Sequence, residues 1–473
     1  MSESAPVRRE RDSMGEMVVP ANAYYGASTQ RAVLNFPISG LRMPRRFIWA
    51  LGTIKQGAAV ANLDLGLLDP RISAAIAEAA AEVAAGKLDD QFPLDVFQTG
   101  SGTSTNTNAN EVIANRASEL LGGELGRNRL VHPNDQVNLG QSSNDVIPTA
   151  IHLAALAAAR EDFLPALHRL ETILLQKSTE FWRVIKTGRT HLQDATPIRL
   201  GQEFLGYAGQ VERAQRRLSR NEDDLLEVAL GGTAVGTGIN THPEFAGRVC
   251  SWIAQNTGIP LRETTNHFQA QSTLDGVVSF SGAVRSTAIS LMKVANDIRF
   301  LGSGPRAGLG ELSLPEVQPG SSIMPGKVNP VIAESLIQVA AHAIGNDAAI
   351  AIAGQGSYFE LNLMMPMAVF NLLQEITLLG HATRNFADQC VIGITATNRG
   401  PELVERGLAI GTALAPLVGY DRAAAIAKEA AATGKTIREV ARDRTDLTDA
   451  DLDRLLDPEK MVQPGLGGGP TGG

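Results

Sequence analysis

The sequence is poor in cysteine and in aromatic residues, and each shortage excludes a class of protein. Its 2 cysteines, Cys250 and Cys390, lie far apart and form no CxxC pair. We therefore expect a protein of a reducing compartment, without a disulfide framework or a zinc knuckle. Aromatic residues make up only 5% of the chain, and alternating Val/Ile-rich stretches are scarce, which excludes an all-β fold.

A net positive charge and long apolar runs are also lacking. The formal net charge of -8 argues against general binding to nucleic acid or to an anionic membrane surface, because both would be repelled at long range. No run of 18 apolar residues marks a membrane span, and the charged stretch MSESAPVRRERDSMGEM has no apolar core of a secretory signal. We expect a soluble, cytoplasmic protein.

The sequence does contain a succession of long Ala/Leu-rich helical patterns. Asp69 followed by Pro70 is typical of a helix start, and we predict a helix over residues 70–87. A change of composition near residues 395–401 predicts a small C-terminal domain, and the Gly/Pro-rich tail at residues 464–473 is predicted to be disordered. The longer patterns, which indicate a helical bundle, cover residues 151–180, 200–227, 276–300 and 331–352.

Polar, glycine-rich loops connect these helices, and loops on a rigid scaffold are natural sites of chemistry. The first reads TGSGTSTNTNAN from Thr99 and continues into a helical pattern. Turns and helix caps account for one or two of its polar residues, so the excess of hydroxyl and amide groups at a helix start predicts a carboxylate site without formal charge.

The second and third loops are polar in the same way. The second, HPNDQVNLGQSSNDVIPTA, places Ser142, Ser143 and Asn144 before an Ala/Leu helix, and a well-capped helix is the alternative explanation. The third, GRTHLQDATP, places His191 beside Thr190. A lone histidine is more often a structural hydrogen-bonder, but imidazole is also the side chain best suited to proton transfer near neutral pH.

The fourth loop, GSSIMPGKVNP at residues 320–330, is the most informative. Its glycines permit a tightly turned backbone, Lys327 supplies a point charge, and Asn329 with Pro330 can start the next helix. This loop matches the signature of the fumarase/aspartase superfamily, and the other three match that superfamily's remaining active-site segments in order. Over residues 14–462 the chain resembles class II fumarases.

Three positions favour that family over aspartate ammonia-lyases, which typically carry Gln, Thr and Ala where this chain has His191, Ser143 and Gly326. Argininosuccinate and adenylosuccinate lyases share the last signature but lack the HPND…QSSND pattern. The alternatives that remain are an aspartate ammonia-lyase and a non-catalytic helical scaffold of the same fold.

The resemblance implies a mainly α, three-domain fold with a central long-helix bundle, divided at residues 1–140, 141–396 and 397–473. It implies reversible hydration of fumarate to (S)-malate, by anti addition of water through an enediolate, as in the tricarboxylic acid cycle. No metal or other cofactor is expected. The implied assembly is a homotetramer whose active sites are shared between subunits.

The resemblance also assigns roles to single residues. Ser321 is implied to be the base that takes the proton from the carbon of malate, with its alkoxide stabilised by loop amides and Lys327. His191 acts through a bound water on the hydroxyl side, with Glu334 orienting or charging the imidazole; whether the histidine is the acid or holds the water stays open. Lys327 and Asn329 bind the carboxylate that becomes the enediolate. The other implied substrate contacts are Ser101, Thr103, Ser142, Ser143, Asn144 and Thr190. A second dicarboxylate site, for which a structural role is the alternative, comprises Arg129, His132, Asn134 and Asp135.

Overall fold

The computed structural model describes residues 6–464 and is predominantly helical. Helices account for 63% of the structure, so the prediction of a mainly α fold is confirmed. From residue 465 onwards, the tail that was predicted to be disordered lies outside the described residues.

Long helices dominate the middle of the chain, and short strands pair beside them. The helices are α1 (Ala27–Asn35), α2 (Arg45–Asp64), α3 (Pro70–Ala84), α4 (Thr103–Leu120), α5 (Ser143–Ala158), α6 (Leu164–Glu180), α7 (Leu200–Leu226), α8 (Phe245–Thr257), α9 (His267–Ser272), α10 (Asp275–Leu301), α11 (Val331–Gly354), α12 (Met365–Gln389), α13 (Arg399–Arg406), α14 (Ala415–Val418), α15 (Tyr420–Thr433), α16 (Ile437–Arg444) and α17 (Asp449–Leu455). The strands are β1 (Val7–Asp12), β2 (Gly15–Pro20), β3 (Ile185–Thr190), β4 (Gln193–Arg199), β5 (Glu227–Val228), β6 (Arg262–Glu263), β7 (Leu312–Ser313), β8 (Ser357–Tyr358), β9 (Leu361–Asn362) and β10 (Thr395–Ala396). The pairs β1–β2, β3–β4, β7–β10 and β8–β9 are antiparallel, and β5–β6 is parallel.

The helix starts and lengths follow the sequence patterns closely. Helix α3 begins at Pro70, and the Asp69 side chain accepts hydrogen bonds from two backbone N–H groups of its first turn, as predicted, although the helix ends at Ala84 rather than at residue 87. Helices α7, α10 and α11 lie where the long patterns predicted them. The predicted helix over residues 151–180 is interrupted by a π-helical turn, Ala159–Phe163, which separates α5 from α6.

The chain folds into two compact units that alternate along the sequence. The first comprises Met1–Pro165, Ala214–Ala288 and Val339–His381. The second comprises Ala166–Arg213, Ile289–Gln338 and Ala382–Gly473. Within the second unit, buried apolar residues between Ile410 and Leu456 form a separate hydrophobic cluster. The division into three domains at residues 140 and 396 stays a prediction.

Helix α11 is apolar enough to cross a membrane by length and composition alone. Its most apolar stretch has a mean hydropathy of 1.4, and 39% of that stretch is buried. A core helix of a soluble protein meets the same criteria, and α11 carries a polar interaction in its middle: Arg285 Nη1 of α10 lies 2.7 Å from Asp347 Oδ2. Composition alone is therefore weak support for a membrane span.

A buried carboxyl group lies beside this ion pair in the first unit. Glu375 of α12 is fully buried, and neither of its carboxylate oxygens has a hydrogen-bond partner among the described residues. The neighbouring Ser281 hydroxyl donates to Asp347 at 2.8 Å instead. Burial raises the pKa of Glu375 well above its ordinary value of 4.5; the nearby Ser281 hydroxyl opposes that rise without forming a hydrogen bond of good geometry, and Asp347 adds to it.

Candidate active site

The first two polar loops meet in the first unit, where their hydroxyl groups form a continuous cluster. Ser101 Oγ lies 2.9 Å from Thr103 Oγ1, which lies 2.7 Å from Ser143 Oγ. Thr103 and Ser143 are the first residues of α4 and α5, so the cluster lies at two helix N-termini. Hydroxyl groups at the positive end of a helix dipole suit a bound carboxylate.

Ser142 and Asn144 are partly committed to holding the second loop. Ser142 is the N-cap of α5, and its hydroxyl accepts the N–H of Asn144 at 3.2 Å. The Asn144 side chain donates to the carbonyl of Ala234 at 2.8 Å. The well-capped helix that the sequence offered as an alternative is therefore present, and it orients Ser143 toward Thr103 at the same time.

A buried carboxylate fixes the start of α5. Asp145 is fully buried and accepts hydrogen bonds from the backbone N–H groups of Ser142, Gly231 and Thr233 at 2.9, 3.1 and 2.9 Å. Burial raises the pKa of Asp145 to about 6, and these three bonds oppose the rise. Asp145 thus ties the second loop to the glycine-rich segment 229–238, which contains Ala234.

Segment 229–238 was not predicted from the sequence to be part of the site. It reads ALGGTAVGTG, and the usable signal was its density of Gly and Thr between two helical patterns. Thr233 has a φ of 54°, in the left-handed region that residues other than glycine rarely adopt. Strained backbone of this kind is concentrated at functional sites.

The first loop approaches the start of α12 very closely. A Cβ atom at Gly100 would lie 1.9 Å from the carbonyl oxygen of Leu363, and the Gly100 carbonyl accepts the N–H of Met365 at 3.0 Å. Only glycine permits this approach, so Gly100 fixes where the loop that carries Ser101 lies.

His191 lies at the tip of a β-hairpin in the second unit. Thr190 of β3 pairs with Gln193 of β4, so His191 and Leu192 form a two-residue turn. Their φ angles are 55° and 58°, which a type I′ turn requires and which Asn-Gly normally provides. Left-handed conformations cost roughly 1–2 kcal/mol for each such residue, and the turn holds the His191 side chain in an exposed position.

Buried ion pairs anchor the base of this hairpin. Lys186 of β3 lies 3.1 Å from Glu311 Oε2 and 2.8 Å from Glu203 Oε1. Arg189 binds the other oxygen of Glu311 at 2.6 Å. Because Lys186 and Glu311 are almost fully buried, the strained turn lies on a rigid support.

The fourth loop, also in the second unit, turns tightly around Ser321. Its hydroxyl oxygen accepts the backbone N–H groups of Ile323 and Met324 at 3.3 and 3.0 Å. Two N–H donors aimed at one oxygen stabilise that oxygen in its deprotonated form. The loop amides that the sequence analysis expected beside Ser321 are therefore present.

Lys327 and Asn329 close this loop together. Lys327 Nζ donates to Asn329 Oδ1 at 2.7 Å, and Asn329 Nδ2 donates to the Gly320 carbonyl at 2.8 Å. The Gly320 N–H donates to the Lys327 carbonyl at 2.8 Å. A cavity of about 950 Å³ in the second unit has Lys327, Asn329 and Arg299 among its lining residues, whereas Ser321 is not one of them.

Within the second unit, the structure does not join all the predicted catalytic residues. Glu334 lies in the first turn of α11. Its carboxylate has no hydrogen bond or ion pair among residues 6–464, and none links His191 to Ser321. No direct bond among the described residues therefore links Ser321, His191 and Glu334 to one another.

The four residues of the predicted second dicarboxylate site lie within one short segment of the first unit. His132 caps the π-helical turn Pro133–Val137, and its Nδ1 lies 3.1 Å from the Asp135 carboxylate. Asn134 is exposed. Arg129 is partly occupied, since its Nη1 lies 3.3 Å from the buried Glu10 carboxylate.

Metal-ligating side chains do not cluster in the part of the chain that the structure describes. Residues 6–464 contain no group of three or more His, Cys, Asp or Glu side chains arranged to hold a metal ion. Cys250 and Cys390 are buried and unpaired, and burial raises the pKa of each thiol to about 12.

Comparison with known proteins adds independent information. The chain matches the family described as "Lyase" over residues 15–345 and the family described as "Fumarase C C-terminus" over residues 410–463. It is 52% identical to the fumarate hydratase class II of Methylorubrum extorquens over 462 residues, 98% of each chain. It is 54% identical to the fumarate hydratase class II of Halobacterium salinarum over 464 residues, again 98% of each chain. The crystal structure of the class II fumarase from Schistosoma mansoni matches it with a TM-score of 0.95 at 39% identity, over 97% of this chain and 99% of that chain.

Proposed function

The chain belongs to the class II fumarate hydratase family, and we propose from that membership how its residues divide the reaction. It is a hydro-lyase that interconverts fumarate and malate. The observation that supports the assignment of roles best is the fourth loop, where two backbone N–H groups converge on Ser321 Oγ while Lys327 closes the same turn. An oxygen prepared to carry negative charge, beside a cation, suits the removal of a proton from carbon.

Ser321 is the proposed base. Removing a proton from the carbon next to a carboxylate produces a dianionic enediolate, so the reaction needs a base, a clamp for the new charge and an acid for the leaving hydroxyl. The alkoxide of Ser321 is stabilised by the N–H groups of Ile323 and Met324. The proton then moves from the malate carbon to Ser321 Oγ.

The two substrate carboxylates are held by different chemistry. Lys327 and Asn329 bind the carboxylate that becomes the enediolate, because an ammonium and an amide can stabilise the added charge. The other carboxylate binds at the neutral cluster of the first two loops. The residues proposed for that cluster are Ser101, Thr103, Ser142, Ser143 and Asn144.

His191 acts on the hydroxyl side of malate. Its position at the tip of a strained, exposed turn leaves the imidazole free to hold a water that protonates the leaving hydroxyl, with Thr190 as a further contact. Glu334 orients or charges the imidazole, which its unpaired carboxylate allows. A second dicarboxylate site is proposed at Arg129, His132, Asn134 and Asp135.

We further propose that the protein is a cytoplasmic homotetramer with active sites shared between subunits. The long helices expose large apolar side chains, including Leu205 of α7, Ile289 and Phe300 of α10, and Ile352 of α11, which is 63% exposed. Helix packing between subunits would remove these side chains from water. Sharing would also allow Ser321, His191 and Glu334, which no hydrogen bond joins within the described part of one chain, to meet at one site.

Subunit mixing tests the shared site. A Ser321→Ala tetramer and a His191→Asn tetramer, each inactive or nearly so, are mixed under conditions of reversible dissociation. Some mixed sites then receive both wild-type residues, so part of the activity is expected to return. Proven subunit exchange without any recovered activity would refute the sharing of sites.

The function itself is tested by comparing two substrates. Purified protein is given malate or aspartate, and the absorbance of the fumarate that forms is followed. We expect fumarate from malate and none from aspartate. Fumarate and ammonia from aspartate would instead identify an aspartate ammonia-lyase, and inactivity on both would favour a scaffold.

A further inference from the structure

A fully buried lysine lies behind the polar cluster of the first unit. Lys55 of α2 has no exposed surface. Its Nζ donates to Asn138 Oδ1 at 2.8 Å and to Gln141 Oε1 at 2.9 Å. Both acceptors are neutral amides, although a buried charge is normally paired with an opposite one. Lys55 was not predicted from the sequence to be part of the site, because it lies within a helical pattern that carries no recognised motif.

The two acceptors connect Lys55 to both loops that form the cluster. Gln141 immediately precedes Ser142, the N-cap of α5. Asn138 Oδ1 also accepts from Asn106 Nδ2 at 3.3 Å. Asn106 lies three residues after Thr103 in α4, so the two share one face of that helix. One buried amine therefore supports both helix starts.

The charge of Lys55 is incompletely balanced inside the protein. The charged group that acts on it is Asp145 of α5, which forms no direct ion pair with it and already accepts three backbone N–H groups. The loop before α5 contacts Lys55 with the neutral amides of Asn138 and Gln141, and Asn106 of α4 bonds to Asn138 behind them. Burial lowers the pKa of Lys55 to about 7, and Asp145 opposes that shift.

We propose that Lys55 is a positioning residue for the substrate: it holds the loop ahead of Ser142 and places a positive charge behind the neutral side chains that receive one carboxylate. The proposal rests on the proposed function, because it needs a dicarboxylate at this cluster. An ammonium in a poorly polarisable interior acts on a nearby anion far more strongly than one in water. The bound carboxylate balances the charge of Lys55, which the neutral amides cannot do. Lys55 therefore stabilises the bound substrate without touching it.

Replacement of Lys55 by an uncharged side chain of similar length is the first test. Lys55→Met is expected to raise the KM for fumarate at least about tenfold, which corresponds to about 1.4 kcal/mol, and to change kcat less than about threefold. That split is expected because the carboxylate held at this cluster is bound alike before and during the reaction. A purely structural role would instead reduce the folded, active fraction, which lowers kcat and leaves KM unchanged.

A buried lysine elsewhere provides the matched control. Lys177 of α6 is also buried, and its Nζ donates to the Ile394 carbonyl and to Glu180, each at 2.8 Å. Lys177→Met removes a buried ammonium outside the proposed site, so it is expected to lower stability while leaving the KM for fumarate unchanged.

A second variant neutralises the charge of Lys55 while the lysine itself remains. Asn138→Asp keeps an oxygen acceptor for Lys55 and gives the ammonium a direct counterion, so the KM for fumarate is expected to rise although the lysine remains. The variant also removes the hydrogen bond from Asn138 Nδ2 to the Gln141 carbonyl at 3.1 Å, so it is compared in the wild-type and Lys55→Met backgrounds. With no ammonium to neutralise, Asn138→Asp is expected to add no further rise in KM to Lys55→Met; an equal rise in both backgrounds would overturn the proposal. In the wild type, KM is expected to rise between about pH 6 and pH 9 as Lys55 loses its proton; Lys55→Met is expected to lack this rise, and Asn138→Asp to shift it to higher pH.

The outcomes are decisive in each case. If Asn138→Asp leaves the KM for fumarate unchanged, the proposal is wrong. This test holds even if Lys55→Met does not fold. A fall in kcat with unchanged KM in Lys55→Met overturns it as well. Wild-type protein that forms no fumarate from malate would refute the proposed function instead, which separates the two failures.

Discussion

Gly320→Ala is expected to slow the enzyme strongly without unfolding it. Gly320 lies where the two sides of the fourth loop meet, and its N–H donates to the Lys327 carbonyl at 2.8 Å. A Cβ atom there would lie 2.3 Å from that carbonyl oxygen and 3.0 Å from the Asn329 nitrogen. Both neighbours are backbone atoms, so no side-chain rotation can relieve the overlap.

The size of the effect follows from the displacement. An ordinary contact needs at least 3.4 Å, so the sides of the loop must separate by about 1 Å, which moves Ser321 relative to Lys327. A misplacement of about 1 Å costs about 100-fold in rate, or about 2.7 kcal/mol of transition-state stabilisation. We therefore expect kcat/KM for malate to fall about 100-fold. Because the loop is largely exposed, Tm should change by less than about 2 °C.

Gly326→Ala is the matched control in the same loop. Gly326 has a φ of 75°, but a Cβ atom there would meet nothing within 4 Å. The variant adds local strain of roughly 1–2 kcal/mol without separating the sides of the loop, so kcat/KM should fall less than about tenfold. The reasoning is refuted if both variants lose activity equally, or if Gly320→Ala keeps near-normal kcat/KM.

Other perturbations test separate parts of the account. His191→Asn should reduce kcat severely but less completely than Ser321→Ala, because a positioned water can still be protonated by another route; equal and total loss would assign the histidine an indispensable role. Glu375→Gln should raise the free energy of unfolding at pH 8 by about 1–3 kcal/mol. Because burial raises the pKa of Glu375, its contribution to stability is fully present below pH 4.5 and is lost as the pH rises, so the variant's advantage should disappear in acid; an advantage independent of pH in urea titrations would contradict this. Dialysis against a strong chelator should leave activity intact, since Cys250 and Cys390 are too few to ligate an iron–sulfur cluster; full loss of activity would contradict it.

The helical architecture could be predicted because local signals determine it. Asp69 and Pro70 specify the start of α3, and the long Ala/Leu patterns specify α7, α10 and α11. The π-helical turn Ala159–Phe163 could not be predicted, because its residues, AREDF, include none that breaks a helix.

The residues of the candidate site could be predicted only where they lie within a recognisable motif. The four loops identified Ser321 and Thr103 as candidates, but the contacts that hold these loops join residues distant in the sequence. Asp145 binds the backbone of Gly231, and Lys55 binds the side chain of Asn138; no local pattern specifies either pair. The two-residue turn at His191 was also hidden, because the sequence there lacks the Asn-Gly that favours such a turn.

The central claim is that Ser321 removes the proton from malate, and one measurement tests it most directly. Fumarate formation from malate is compared between wild-type protein and Ser321→Ala in matched preparations, with circular dichroism to confirm that the variant is folded. The account predicts no measurable fumarate from the folded variant, because a small hydroxyl in an exposed loop contributes little to stability but supplies the base. Near-normal turnover by folded Ser321→Ala would contradict the account.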